Sequence, residues 1–164
     1  LDVGGGEIEQ LEESIRFPYP HTLRREDGSS TRAVHSFEAK IDRLDRLPGP
    51  GAGHRIVDYK TGRATDRLKA PKKDDLQLGV YAMAVRWRQE GSEDSDDEQT
   101  LLRPAAGVAE YWCLSTGDRG RIDLRDIAYA KVKAEIDDVV TKLLLGEFPR
   151  GREDGCWGLC TMLA

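Results

Sequence analysis

Apolar residues recur along the chain with two different periods, and the change from one to the other divides it into strands and helices. Residues 14–23 and 32–47 have extended, β-favouring composition and are separated by the turn-forming run Glu26-Asp27-Gly28-Ser29. Pro48-Gly49-Pro50-Gly51-Ala52-Gly53 reads as a loop, and residues 54–60, with the β-branched pair Ile56 and Val57, as its return strand, so two hairpins follow one another. After Pro71 the period lengthens: over 75–89, Leu76, Val80, Met83 and Trp87 stand at steps of four, three and four, which predicts a helix packing one apolar stripe on the sheet, with Asp74 as its N-cap. Residues 107–115 predict a further strand before a Gly117-Asp118 turn. A second long helix is expected over 124–145, capped by Asp123 and buried through Ile127, Ile136, Val140 and Leu143 or Leu144. The order of elements describes an α/β sandwich without internal repeats.

Length and composition narrow the class. The 164 residues suit one domain with a single core, read here as 1–164, an acidic mobile loop over 90–104 and a tail over 147–164. No apolar stretch approaches the roughly 20 residues that span a bilayer, so no membrane partner is expected. The chain opens on Leu1 rather than Met, which is read as an excised piece of a longer protein. Three cysteines without framework spacing point to a reducing compartment, with the cytoplasm as the expected location. A net charge of -5 argues against a uniformly basic nucleic-acid-coating surface. Charge is unevenly placed, however. Lys60, Arg63, Arg67, Lys69, Lys72 and Lys73 gather in one stretch with Asp66 as its sole acid, whereas Glu93, Asp94, Asp96, Asp97 and Glu98 form a serine-interrupted acidic run of solvated character.

The second hairpin carries the candidate chemistry. A loop centred near Pro50 makes residue i face residue 100 minus i, which sets Asp42 opposite Asp58. Like charges so placed repel across about 4.5–5.5 Å, and a bound cation removes the conflict. Hard oxygen ligands favour Mg²⁺ or Mn²⁺, which complete their shells with water and substrate phosphate. Lys60 lies two residues beyond Asp58 and points to the same face, where it can orient a water nucleophile and offset charge developing on a phosphate. With 30 Asp and Glu residues in the chain, an accidental pair on a solvated hairpin is the other reading of this spacing, and a slip in register by one or two residues would undo it.

Ala39-Lys40-Ile41-Asp42-Arg43-Leu44-Asp45, followed by Ile56-Val57-Asp58-Tyr59-Lys60-Thr61-Gly62, resembles the paired motifs of RecB-like nucleases of the PD-(D/E)XK superfamily, of helicase-nuclease or CRISPR-associated exonuclease type. Leu76-Gln77-Leu78-Gly79-Val80-Tyr81 is similar to that family's Gln-x-x-x-Tyr motif. The resemblance implies a restriction-endonuclease-like core, a mixed sheet flanked by helices. By it, Asp42 and Asp58 would bind Mg²⁺ or Mn²⁺, Lys60 would be the catalytic lysine, and Gln77 and Tyr81 would support the site or contact DNA; the charge of the basic stretch, with Arg63 and Lys69, suits it to follow a DNA backbone electrostatically. It also implies an exonuclease of DNA repair or recombination, with a helicase domain or subunit as a partner. Read from the residues alone, Gln77 completes a capping box with Asp74 and Tyr81 is a core tyrosine with a wet hydroxyl.

The chain departs from the family pattern in two places. Ala39 stands where the family commonly has glycine. No histidine-bearing helix precedes the sheet, and His21, His35 and His54 fall in strand or loop positions and are read as structural or surface residues. The stretch from Glu9 to Glu13 is read as a solvated helix end rather than a source of a further site carboxylate. Some relatives bind an iron-sulfur cluster, but such a cluster needs about four thiolates, and Cys113, Cys156 and Cys160 fall short of that count. The alternative function is a catalytically inactive nuclease-like module that binds DNA or assembles a helicase-nuclease complex.

Overall fold

The computed structural model describes residues 6–90 and 98–147. The fold is built on a five-stranded sheet in the order β1-β2-β3-β4-β5. β1 (Glu7–Arg24) and β2 (Ser30–Arg46) form a long antiparallel hairpin, and β3 (His54–Lys60) continues the antiparallel series. β3 pairs in parallel with β4 (Gly107–Cys113), which turns back antiparallel into β5 (Arg119–Asp123). A parallel pair needs a crossover connection. Here it runs through α1 (Asp66–Lys69), α2 (Leu76–Glu90) and α3 (Glu98–Leu102). α4 (Tyr129–Leu145) follows β5 and ends at Gly146, whose φ of 73° permits its N–H to reach the carbonyls of Leu143 and Lys142. This mixed sheet with flanking helices is the restriction-endonuclease-like architecture that the motifs implied.

The β2–β3 register is the expected one: Arg43 pairs with Val57, Leu44 with Ile56, Asp45 with Arg55 and Arg46 with His54. Two glycines let β3 and β4 start side by side. A Cβ on Gly53 would lie 1.9 Å from the Ala106 carbonyl oxygen, and one on Gly107 would lie 1.9 Å from that of His54.

The core lies between the sheet and helices α2 and α4, with Phe17, Tyr19, Ile41, Leu44, Ile56, Leu78, Met83, Leu124 and Val132 all buried. α2 buries Leu78, Gly79, Ala82, Met83, Ala84 and Val85. Of the expected stripe only Met83 is among these; Leu76, Val80 and Trp87 are partly buried at its margin. The small residues decide this, because Gly79 and the alanines bring the helix backbone close to its neighbours, and a Cβ on Gly79 would already sit 2.7 Å from Val132.

Several other expectations are corrected. Residues 9–13 belong to β1 and are not a helix end. Residues 119–123 form an edge strand, and Asp123 caps a 3-10 turn at Leu124–Asp126, accepting from Arg125 N at 2.9 Å, so that α4 starts only at Tyr129. Ile127 and Ile136 are buried and Val140 is partly so, but Leu143 and Leu144 are 54% and 50% exposed. The N-cap of α2 is Asp75 rather than Asp74: its Oδ1 accepts from Leu78 N at 3.1 Å. Of the segment 90–104, residues 98–102 are helical with Leu101 buried. Residues 91–97, the tail from 148 onward, and with it Cys156 and Cys160, lie outside the described residues.

Candidate active site

The site forms where β2 and β3 stop pairing. Arg43–Val57 is the last ladder pair, and one step further Asp42 replaces the backbone bond with its side chain, Oδ2 accepting from Tyr59 N at 2.8 Å. Asp42 and Asp58 thus meet at the hairpin's open end, as the loop register required. Lys60 Nζ comes within 2.7 Å of Asp58 Oδ2.

α2 crosses above them. Gln77, the second residue of the helix, has its amide between the two charges: Oε1 accepts from Lys60 Nζ at 2.9 Å and Nε2 donates to Asp58 Oδ1 at 2.8 Å. The same Nε2 donates to the Tyr81 hydroxyl at 2.9 Å, and that hydroxyl is turned toward Asp58 Oδ1 at 3.4 Å. Gln77 and Tyr81 share a helical face, as residues four apart do. Gln77 makes no capping box with Asp74, whereas Tyr81 packs against the core as its spacing also allowed and in addition has its hydroxyl in this network.

Two carboxylates, Asp42 and Asp58, face the single ammonium of Lys60. Asp58 is 4% exposed, and burial raises its pKa above the ordinary carboxylate value. Lys60 opposes that shift and the charge of Asp42 adds to it. Burial likewise raises the pKa of Tyr81, which keeps it a neutral donor. Asp58 Oδ2 is buried, with the Lys60 ammonium 2.7 Å away as its charged contact. A buried carboxylate beside a second one fits a small hard cation. Among the described residues no group of three or more His, Cys, Asp or Glu side chains converges, so such a cation would owe the rest of its shell to water and phosphate.

The surroundings fix this geometry. On the neighbouring strands, Asp45 is fully buried and held by both Arg43, at 2.7 and 3.0 Å, and Arg55, at 2.8 and 2.6 Å. His54 accepts at Nδ1 from Gln89 and therefore donates from Nε2 to Glu9 at 3.1 Å, and His21 bonds Thr141 at 3.0 Å, so both serve the fold. Of the basic stretch, Arg63 is exposed, whereas Lys69 pairs with Asp118 at 3.0 Å and Arg67 and Lys73 face Asp75 and Asp126. Two residues that sequence reasoning passed over lie under the site. Asp75 is buried at the start of α2, and Tyr111 stands beside Asp58 in the β3–β4 register, its hydroxyl donating to Asp75 Oδ1 at 2.8 Å. Asp75 carried a signal, as an acid at a helix start; Tyr111 carried none, since its neighbours depend on a parallel pairing across the crossover.

A mixed sheet whose hairpin end holds two aspartates and a lysine under a glutamine-bearing helix is the arrangement of a restriction-endonuclease-like domain. The sequence pattern of the PD-(D/E)XK nuclease superfamily matches residues 5–164, and the chain belongs to that superfamily. Membership implies nuclease hydrolase activity on DNA, and PD-(D/E)XK nucleases generally use Mg²⁺ or Mn²⁺. No curated protein matches the sequence. Among the described residues no helix is long and apolar enough to cross a membrane.

Proposed function

We propose that this protein is a Mg²⁺- or Mn²⁺-dependent DNA nuclease that hydrolyses phosphodiesters from strand ends, with Asp42 and Asp58 as the metal ligands and Lys60 as the catalytic lysine. The observation that carries this is the convergence of Asp42, the buried Asp58 carboxylate and Lys60, whose ammonium lies 2.7 Å from Asp58 Oδ2. When bound there, the cation supplies a water of lowered pKa and positive charge for the scissile phosphate. Lys60 then has two tasks: its ammonium orients the water and offsets charge on the phosphate as the water's oxygen joins phosphorus and the bridging oxygen leaves. Gln77 fixes Lys60 and Asp58 relative to each other, and Tyr81 supports Gln77. Arg63, exposed beyond β3, and Lys69 follow the DNA backbone, contacts that orient the duplex without reading its sequence. The RecB-like spacing of the motifs supports a role in cytoplasmic DNA repair or recombination beside a helicase.

The test is cleavage of end-labelled linear DNA and of covalently closed circles with Mg²⁺ or Mn²⁺, using the native chain, Asp58→Ala and Lys60→Ala. Metal-dependent shortening of the linear substrate alone, lost in both variants, is the expected result. Absence of cleavage with salt-sensitive DNA binding intact would replace the proposal with the inactive binding module.

A further inference from the structure

Lys60 has a third neighbour besides Asp58 and Gln77. Its ammonium lies 5.1 Å from the centroid of the Tyr111 ring, on the ring's face. Tyr111 sits on β4 next to Asp58 of β3 and is 2% exposed. Its hydroxyl is bonded to Asp75 Oδ1 at 2.8 Å, and the same oxygen takes the Leu78 N–H at 3.1 Å. One tyrosine therefore touches both halves of the site. Its ring meets the lysine of β3, and its hydroxyl is tied through a buried carboxylate to the first turn of the helix that carries Gln77 and Tyr81.

Resting on the nuclease reading for the use made of Lys60, we propose that Tyr111 and Asp75 are a positioning pair: the ring of Tyr111 holds the Lys60 ammonium over the reacting phosphate, and the Tyr111–Asp75 bond sets the height of α2 above the strand. Neither residue touches substrate. The flexible four-carbon stem of a lysine gives its ammonium no fixed place by itself. A carboxylate oxygen at 2.7 Å, an amide oxygen at 2.9 Å and the face of the ring at 5.1 Å together give it one. The geometry separates the two duties of Tyr111. Phenylalanine keeps the ring and loses the tie to Asp75; leucine loses both. Asp75→Asn keeps an oxygen that can accept from Leu78 N and Tyr111 while removing the charge.

The experiment has two readouts on folded variants, the first independent of catalysis. In protein labelled with ¹³C-lysine, the Lys60 ε-methylene, identified by its absence in Lys60→Ala, is displaced upfield by the Tyr111 ring current. The displacement persists in Tyr111→Phe and disappears in Tyr111→Leu. The second readout is the kinetics of DNA cleavage: kcat falls about tenfold or more in Tyr111→Leu with KM nearly unchanged, and Tyr111→Phe, which keeps the ring and loses only the tie to Asp75, recovers part of the loss. A Lys60 resonance with no ring-current displacement, or one indifferent to leucine at 111, overturns the proposal. So does a kcat in Tyr111→Leu equal to that of the native enzyme. If the resonance behaves as expected but the native chain cleaves no DNA under any metal, the placement of Lys60 by Tyr111 stands and the nuclease reading is what fails.

Discussion

Replacing Gln77 tests whether the site is held together by its hydrogen bonds or only by the packing of α2. The side chain makes three contacts: with Lys60 at 2.9 Å, Asp58 at 2.8 Å and Tyr81 at 2.9 Å. Two of them involve charged partners, and a hydrogen bond to a charged group is worth about 1.5–3 kcal/mol. Gln77 is only half-buried, so water replaces part of what Gln77→Ala removes, and a net loss of about 1–2 kcal/mol of folding stability is expected. The catalytic consequence is larger. Without the amide, Lys60 and Asp58 lose the atom that fixes their separation, and misplacement of a reacting group by about 1 Å costs on the order of a hundredfold in rate. Gln77→Met is the decisive partner variant, because it keeps the bulk of the side chain and none of the three bonds. Urea unfolding and single-turnover cleavage should show both variants losing kcat far more than their stability loss accounts for, and losing it to similar extents. A methionine variant as stable and as fast as the native protein would refute the hydrogen-bond account and make Gln77 a packing residue.

Further outcomes follow from other parts of the molecule. In Gly79→Ala the usual helical advantage of alanine, about 1 kcal/mol, is opposed by a Cβ 2.7 Å from a fully buried Val132, an overpacking cost of about 1–3 kcal/mol; the urea midpoint should fall, and Val132→Ala added to it should restore part of the loss. Asp45→Ala leaves Arg43 and Arg55 without the buried carboxylate they share, and a loss of about 3–5 kcal/mol is expected in equilibrium unfolding, an effect within experimental error being the contrary result. The hydrogen bond from the Arg125 side chain is the main cause lowering the Asp123 pKa from 3.8 to about 2. The folded protein therefore gains stability from the ionised carboxylate above pH 3.8 and loses it as the pH falls toward 2. Asp123→Asn should be less stable than the native chain near neutral pH, the gap closing over that acid window in acid-unfolding curves.

Local pattern in the sequence determined the hairpins, the two long helices and the hairpin register, because turn residues and side-chain periodicity act over a few neighbouring positions. That register was enough to bring Asp42 to Asp58 and to aim Lys60 at the same face. What the sequence left open depended on distant chain segments. The edge strand at residues 119–123 exists because β4 offers it a partner, the stripe of α2 is displaced because Gly79 and its neighbouring alanines let α4 come close, and Leu143 and Leu144 stay half-exposed at an apolar groove they share with Phe37 of β2 and Leu76 and Val80 of α2. The same holds for the site. Gln77 serves Lys60 and Asp58 rather than its own helix end only because α2 lies across the hairpin, and the joining of Tyr111 to Asp75 and Lys60 needs the parallel β3–β4 pairing and the crossover helix together. Contacts of this kind are fixed by how whole elements pack; the Gln-x-x-x-Tyr spacing marked Gln77 and Tyr81 only through the family resemblance, and nothing along the chain marked Tyr111.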